Sequence, residues 1–221
     1  MIHLVGTNHI SSQSVTVIKE RFLAVQPDII AIELDRNRLE GLLNPQKLTF
    51  SFGLLRQIGL IGYIFALVGR YAQKKMAKYT GTPPGSDMLY GVQLAKNNNL
   101  RLALIDRPMD QTLKKLSRSF TFKEKMRFLY DITLGLLFSR KQKITFSLND
   151  IPEEDLISQL VTSLQDRYPS LYRVLIHERN DYMVARLEAL EKKYPEQSIL
   201  VVVGAGHVSG MQELLDAKSF N

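Results

Sequence analysis

The sequence predicts an α/β fold, a central and largely parallel β-sheet flanked by helices, with a mostly helical insertion in the middle of the chain. Three observations carry this prediction. Four short apolar runs, each bounded by turn or breaker residues, have the length and composition of buried strands. Helical apolar spacing fills the stretches between them. The first two strands are joined through a single helix and short connections, a βαβ unit, and that makes them parallel.

The elements follow in order. Ile2 to Val5 is a first strand stopped by Gly6. Ser11 or Ser12 is placed to cap the helix after it, which carries Val15, Ile18, Phe22 and Leu23 at helical spacing. Gln26-Pro27-Asp28 breaks that helix, and Ile29 to Leu34 is the second strand. Arg36 to Leu43 forms a brief helix, and Phe50 to Lys78 a longer one, apolar at first and basic at its end. Gly53, Gly59, Gly62 and Gly69 weaken that helix in isolation but permit close packing. Beyond the loop Thr80 to Ser86, Asp87 to Lys96 is helical and Arg101 to Ile105 is the third strand. Met109 to about Leu164 is mostly helical with a break near Asn149 to Pro152, and Leu171 to Lys193 is one long helix. Ser198 to Val203 is the fourth strand, and Met211 to Ala217 closes the chain as a helix. A single domain over 1–221 is expected, with helical insertions at about 50–80 and 109–165.

The chain has no cysteine, which excludes disulfides, thiolate metal sites and thiol nucleophiles, and fits a reducing cytosol. The first residues read as a strand and not as a signal peptide. The apolar stretch Ile58 to Gly69 is short of the roughly 20 residues needed to span a bilayer. A soluble, cytoplasmic protein is the expectation. The net charge of +7 is concentrated from Arg101 to Lys143. A solvated helical face accounts for it, with an anionic membrane or acidic partner as the sharper alternative. Nucleic acid is not expected, since no binding motif accompanies the charge. The Phe50 to Lys78 helix is read as buried or subunit-contacting, which allows a homodimer, or else as lying on a membrane surface.

Chemistry gathers at the strand ends. Gly6-Thr7-Asn8-His9 and Gly204-Ala205-Gly206-His207 each follow an apolar strand and lead into a helix. Ligands of parallel α/β sheets bind beyond the carboxyl ends of the strands, where both His9 and His207 would lie. Glu33 ends the second strand and Asp106-Arg107 the third. Two imidazoles and one carboxylate form a catalytic metal set that leaves a position open for water. On the long helix, Glu178 and Arg179 add a carboxylate and a guanidinium suited to gripping an anion. His177 is read as structural or exposed, and His3 as a satisfied core or edge histidine. No G-x-S-x-G elbow, Walker loop or dinucleotide glycine pattern occurs, so serine hydrolases, P-loop enzymes and nicotinamide dehydrogenases drop out.

Taken in order, Val5 to Ser11, Pro27-Asp28, Ile32 to Asp35, Pro84 to Met88, Ala103 to Arg107, Glu178-Arg179-Asn180 and Val203 to Gly210 resemble the TraB/PrgY/GumN family over nearly the whole chain. Asp87 stands where that family more often carries Glu. The resemblance implies a fold similar to the erythromycin-esterase and ChaN-like group. It also implies one site with both Gly-x-x-His motifs and the glutamate: His9, Glu33, Arg179 and His207, supported by Asp106 and Arg107. TIKI proteins of this superfamily are metal-dependent peptidases, and PrgY-type members are implicated in limiting peptide pheromone activity. The resulting expectation is a metal-dependent hydrolase acting on peptides, with a divalent ion (Zn, Mn or Co) held by His9, Glu33 and His207. In that scheme Asp106 or Glu178 accepts a proton and Arg179 stabilises negative charge. The competing expectation is a protein on the same scaffold that sequesters a peptide or anion without turning it over.

Overall fold

Four strands, Ile2–Thr7 (β1), Ile29–Ile32 (β2), Arg101–Leu104 (β3) and Ile199–Gly204 (β4), pair in one sheet of order β1-β4-β2-β3, every neighbouring pair parallel. This is a computed structural model, and it describes residues 1–7, 12–44, 52–81, 83–138 and 153–219. β2 and β4 occupy the centre and are buried on both faces, which is why Ile-Ile-Ala-Ile and Ile-Leu-Val-Val-Val read as continuous apolar runs.

Helices cover both faces. On one side, Ser12–Val25 (α1), Arg36–Leu43 (α2) and Ser86–Asn97 (α4) meet the sheet through Ile18, Leu39, Leu42, Met88 and Ala95, against Ile30, Ile32, Leu200 and Val202. On the other, Glu178–Lys193 (α9) and Ala205–Ser219 (α10) bring Met183, Val184, Leu187 and Met211 against Ile29, Ala31, Val201 and Val203. The two sets of sheet residues alternate along each strand, as the two-residue period requires.

A helical layer stands apart from the sheet. Phe52–Thr80 (α3), Met109–Ser119 (α5), Phe122–Phe138 (α6), Glu153–Arg167 (α7) and the short Pro169–Tyr172 (α8) build it around Phe65, Phe120, Phe128 and Tyr168. Phe65 stacks on Phe128 with centroids 4.6 Å apart, and Phe120 meets both edge-on. α3 is kinked at Gly59, whose φ of 75° is left-handed. The Ser117 hydroxyl fills the gap, accepting from Gly62 N–H and donating to Ile58 C=O, both at 2.6 Å. Those are the two groups that an unbroken helix would bond directly. The close packing expected of the α3 glycines is thus present at Gly59 and Gly62, beside α5.

The predicted strands and helices are found with end shifts of a few residues, and two differences are informative. The long helix expected over Leu171 to Lys193 contains a π-helical turn, Arg173–His177, between α8 and α9. The last helix begins at Ala205, directly after β4, so Gly204-Ala205-Gly206-His207 is a strand end followed by a first helical turn. The break expected near Asn149 to Pro152 lies outside the described residues, as does Ser11.

Candidate active site

Alternation decides where Glu33 points. It continues the Ile29, Ala31 face of β2, so its side chain goes to the side covered by α9 and α10. Sheet pairing holds it there, with Glu33 N–H donating to Val202 O at 3.0 Å. One strand over, Asp106 N–H donates to Leu34 O at 3.3 Å. α9 runs back against the strands, so its amino-terminal turn meets their carboxyl ends. Arg179 and Asn180 are the first members of the stripe that continues as Met183, Val184 and Leu187, which is why they are buried. After β2 the chain turns to the α2 side, and after β4 to the α10 side. The site therefore lies at a topological switch point of the sheet.

Arg179 is the hub. Its Nε and Nη2 donate to the two oxygens of Asp106 at 2.9 and 2.7 Å, and Nη2 also donates to Glu33 Oε1. Nη1 donates to Leu175 O at 3.1 Å and lies 3.0 Å from His207 Nε2. The carbonyls of Val174 and Leu175, within the π-helical turn, accept from Arg107 and Arg179 respectively. Such widened turns recur at functional sites. Glu33 Oε2 accepts from Gly204 N–H at 2.7 Å, and Glu33 Oε1 is 3.4 Å from His207 Nε2. His207 Nδ1 is 2.6 Å from Asn180 Oδ1. With its proton on Nδ1 the ring donates to Asn180 and accepts from Arg179, because a guanidinium has no acceptor. Protonated at both nitrogens, it turns an N–H to Glu33.

These groups are almost sealed from water: Glu33 and Asp106 are each 4% exposed, His207 5% and Arg179 7%. Burial alone would raise the Glu33 carboxyl. The charges of His207, Arg179 and Arg38, with the Gly204 N–H, overcome it and hold the pKa down at about 2. Burial likewise opposes the Arg179 charge, but Glu33 and Asp106 outweigh it and push that pKa up.

Of the seven residues expected at the site, Glu33, Asp106, Arg179 and His207 are brought together. Arg107 and Glu178 form an adjoining pair at 3.5 Å, with Lys115 2.9 Å from the same Glu178 oxygen. Arg107 joins the cluster through its backbone, donating its N–H to Asp106 Oδ1 at 2.8 Å. His9 lies outside the described residues. His177 is exposed and pairs with Asp181 on its own helix, as a structural histidine would.

Two participants escaped the reading of the sequence. Asn180 orients His207. Arg38 donates to Asp106 Oδ2 at 2.9 Å and to Glu33 O at 3.3 Å. Asp35, beside them, caps α2 through the Asn37 and Arg38 N–H groups and accepts from Met109 N–H at 3.2 Å, tying the β2 and β3 ends together. The register of 180, 184 and 187 on the core stripe was the signal for Asn180; Arg38 carried none.

The donor pair can be tested against a metal ion. Two ligands at about 2.0–2.2 Å from a tetrahedral ion stand roughly 3.3–3.5 Å apart. Glu33 Oε1 and His207 Nε2, at 3.4 Å, match such an edge, and Asn180 supplies the partner that fixes a ligating imidazole. Among the described residues no third His, Asp or Glu completes a set, and the Arg179 guanidinium contacts both donor atoms. The fit is to a two-donor edge that needs a further ligand.

A parallel α/β domain with a buried ionic cluster at its switch point is the class these features define. The chain belongs to the TraB/PrgY/gumN family, whose model matches residues 1–220. It is 33% identical to uncharacterized protein MJ1365 of Methanocaldococcus jannaschii, across 97% of this chain and 53% of that protein. It is 24% identical to a human TraB domain-containing protein and 22% to its mouse counterpart, each across 96% of this chain and 62% of the relative. The chain thus spans between about half and two thirds of the length of these relatives.

Proposed function

We propose that this domain is a metal-dependent hydrolase acting on peptides, with a divalent ion, Zn, Mn or Co, held by His9, Glu33 and His207. The observation that carries the reading is the 3.4 Å approach of Glu33 Oε1 and His207 Nε2 inside a buried ionic cluster. Clusters of this kind add little stability over packed apolar residues, so a reactive role is the better account of them. A bound ion would bring a water's pKa toward neutrality and polarise a scissile carbonyl.

The chain's own residues do the rest. Asn180 keeps the His207 ring aligned, with Nε2 facing Glu33 and Arg179. Against burial, His207, Arg179, the Gly204 N–H and Arg38 together keep Glu33 ionised. Asp106, with four donors from Arg38, Arg107 and Arg179, is a positioning residue. Glu178, on the less buried side, is the carboxylate suited to accept a proton. One observation favours a second reading, capture of a peptide or anion without turnover: Arg179 already supplies a cation between Glu33 and His207.

Calorimetric titration with Zn, Mn and Co separates the two. One ion per chain, with affinity lost in His9→Ala, Glu33→Ala and His207→Ala, together with cleavage of a peptide library beyond one equivalent, supports the hydrolase. Folded variants, no ion in any of the proteins and saturation at one equivalent of peptide support capture.

A further inference from the structure

We propose that the helical layer is a docking surface for an anionic phospholipid bilayer, with α3 lying along the lipid surface. Eight of the thirteen exposed large hydrophobic side chains among the described residues are on α3 and α6. On α3 they are Leu60, Leu67, Val68 and Tyr71, spaced i, i+7, i+8, i+11 along one face. On α6 they are Phe122, Met126, Leu129 and Tyr130, again a single stripe. The window Gly53–Tyr71 has a mean hydropathy of 1.2, and only 11% of it is buried.

The opposite side of α3 is committed to protein. A Cβ on Gly62 would stand 2.7 Å from Leu113 O, Ser117 clamps the Gly59 kink, and Phe65 enters the aromatic cluster. An anchored, kinked helix with one free apolar face suits the plane of a membrane interface better than a crossing.

Charge selects the occupant. The 29 residues of α3 include no Asp or Glu, and Arg56 and Lys74 are exposed on it. Lys114 and Arg118 of α5 and Lys123 of α6 are exposed. On α6, Glu124 is buried beneath the Thr121 and Ser170 N–H groups, and Asp131 is paired with Arg167. Asp110 of α5 accepts from the neutral Gln57 amide of α3 at 3.1 Å, but the exposed bases outnumber it among the described residues, so the surface is net basic and complementary to anionic headgroups. A second copy fits less well: a two-fold contact sets the same patch against itself and would bring these bases together.

The test is co-sedimentation of the 221-residue chain with vesicles of phosphatidylcholine, with and without phosphatidylserine, at low salt. Binding should require phosphatidylserine and weaken as salt is added. Leu60→Ser with Leu67→Ser should reduce it at least tenfold, and so should Arg56→Glu with Lys74→Glu, at about fivefold per basic residue removed from the surface. All four positions are exposed, and circular dichroism checks that the variants keep their fold. Absence of binding at low salt, equal binding without phosphatidylserine, or full binding by the leucine variant would each overturn the proposal. Dimerisation in sedimentation equilibrium that the leucine variant abolishes would also overturn it, in favour of a second copy.

Discussion

Glu33 Oε1 and His207 Nε2 stand 3.4 Å apart across the ends of β2 and β4, with the Arg179 guanidinium in contact with both. The carboxylate is fixed by strand register and the imidazole by the first turn of α10. Their approach is thus set by the most buried part of the fold, without any long loop among the parts described.

This placement predicts an acid-sensitive stability. The Glu33 pKa falls from 4.5 to about 2 on folding, so its contribution is complete above about pH 4.5 and is lost as pH drops through 2. A depression of that size corresponds to about 3 kcal/mol. Urea unfolding of the native protein and Glu33→Gln across pH 2 to 7 should give a stability gap that is full at neutral pH and closes between these two values. A gap independent of pH would remove Glu33 as the source.

Arg179 answers both carboxylates at once, and its loss should be severe. Arg179→Met leaves Glu33 and Asp106 buried, with Arg38 as the remaining guanidinium on Asp106 among the described residues, at a cost of about 3–5 kcal/mol near pH 7. The cost should shrink in acid as Glu33 protonates. Arg179→Lys keeps the charge but not the two parallel bonds to Asp106, and should fall between. A loss under about 1 kcal/mol for Arg179→Met by chemical unfolding would mean that the cluster is not the tight ionic unit its geometry describes.

Much of this was legible in the sequence because burial leaves a strong pattern. Ile29 to Ile32 and Ile199 to Val203 could hardly be anything but central strands, and a Glu directly after such a strand stands out. Arg38 was hidden because it sits in a short, polar helix where every Arg looks solvated. Glu178 and Arg179 are neighbours of equal polarity, and only the packing of α9 divides them, one into the cluster and one toward Lys115. The Gly59 kink was equally silent, since Ser117, which bonds the two backbone groups it separates, lies on a different helix. His9 pairs with His207 by motif alone, and its position is outside the described residues.

The Ser117 hydroxyl gives a local prediction. It replaces the missing Gly62-to-Ile58 bond of α3, so Ser117→Ala removes the partner of two backbone groups together. The expected cost is about 1–3 kcal/mol. Hydrogen exchange at the Gly62 amide should accelerate while amides of β2 and β4 keep the protection of the global fold. Unchanged exchange at Gly62 would show that the kink is held by packing alone.

Gly210 tests whether the His207 ring must be held. A Cβ there would stand 2.5 Å from Asn180 Nδ2, a distance no side chain tolerates, so Gly210→Ala has to move the Asn180 amide. That amide is the partner of His207 Nδ1. Gly210→Ala should therefore reproduce Asn180→Ala although it touches no ionisable group. On the proposed metal-binding role, both should lower divalent-ion affinity about 10–100-fold. Both should also shift the His207 ring-nitrogen resonances in 15N spectra from their native positions. Alanine is favourable within a helix, so the fold should survive Gly210→Ala better than it survives the loss of Arg179. A variant with native ring resonances and native affinity would show that Asn180 contributes packing and no orientation.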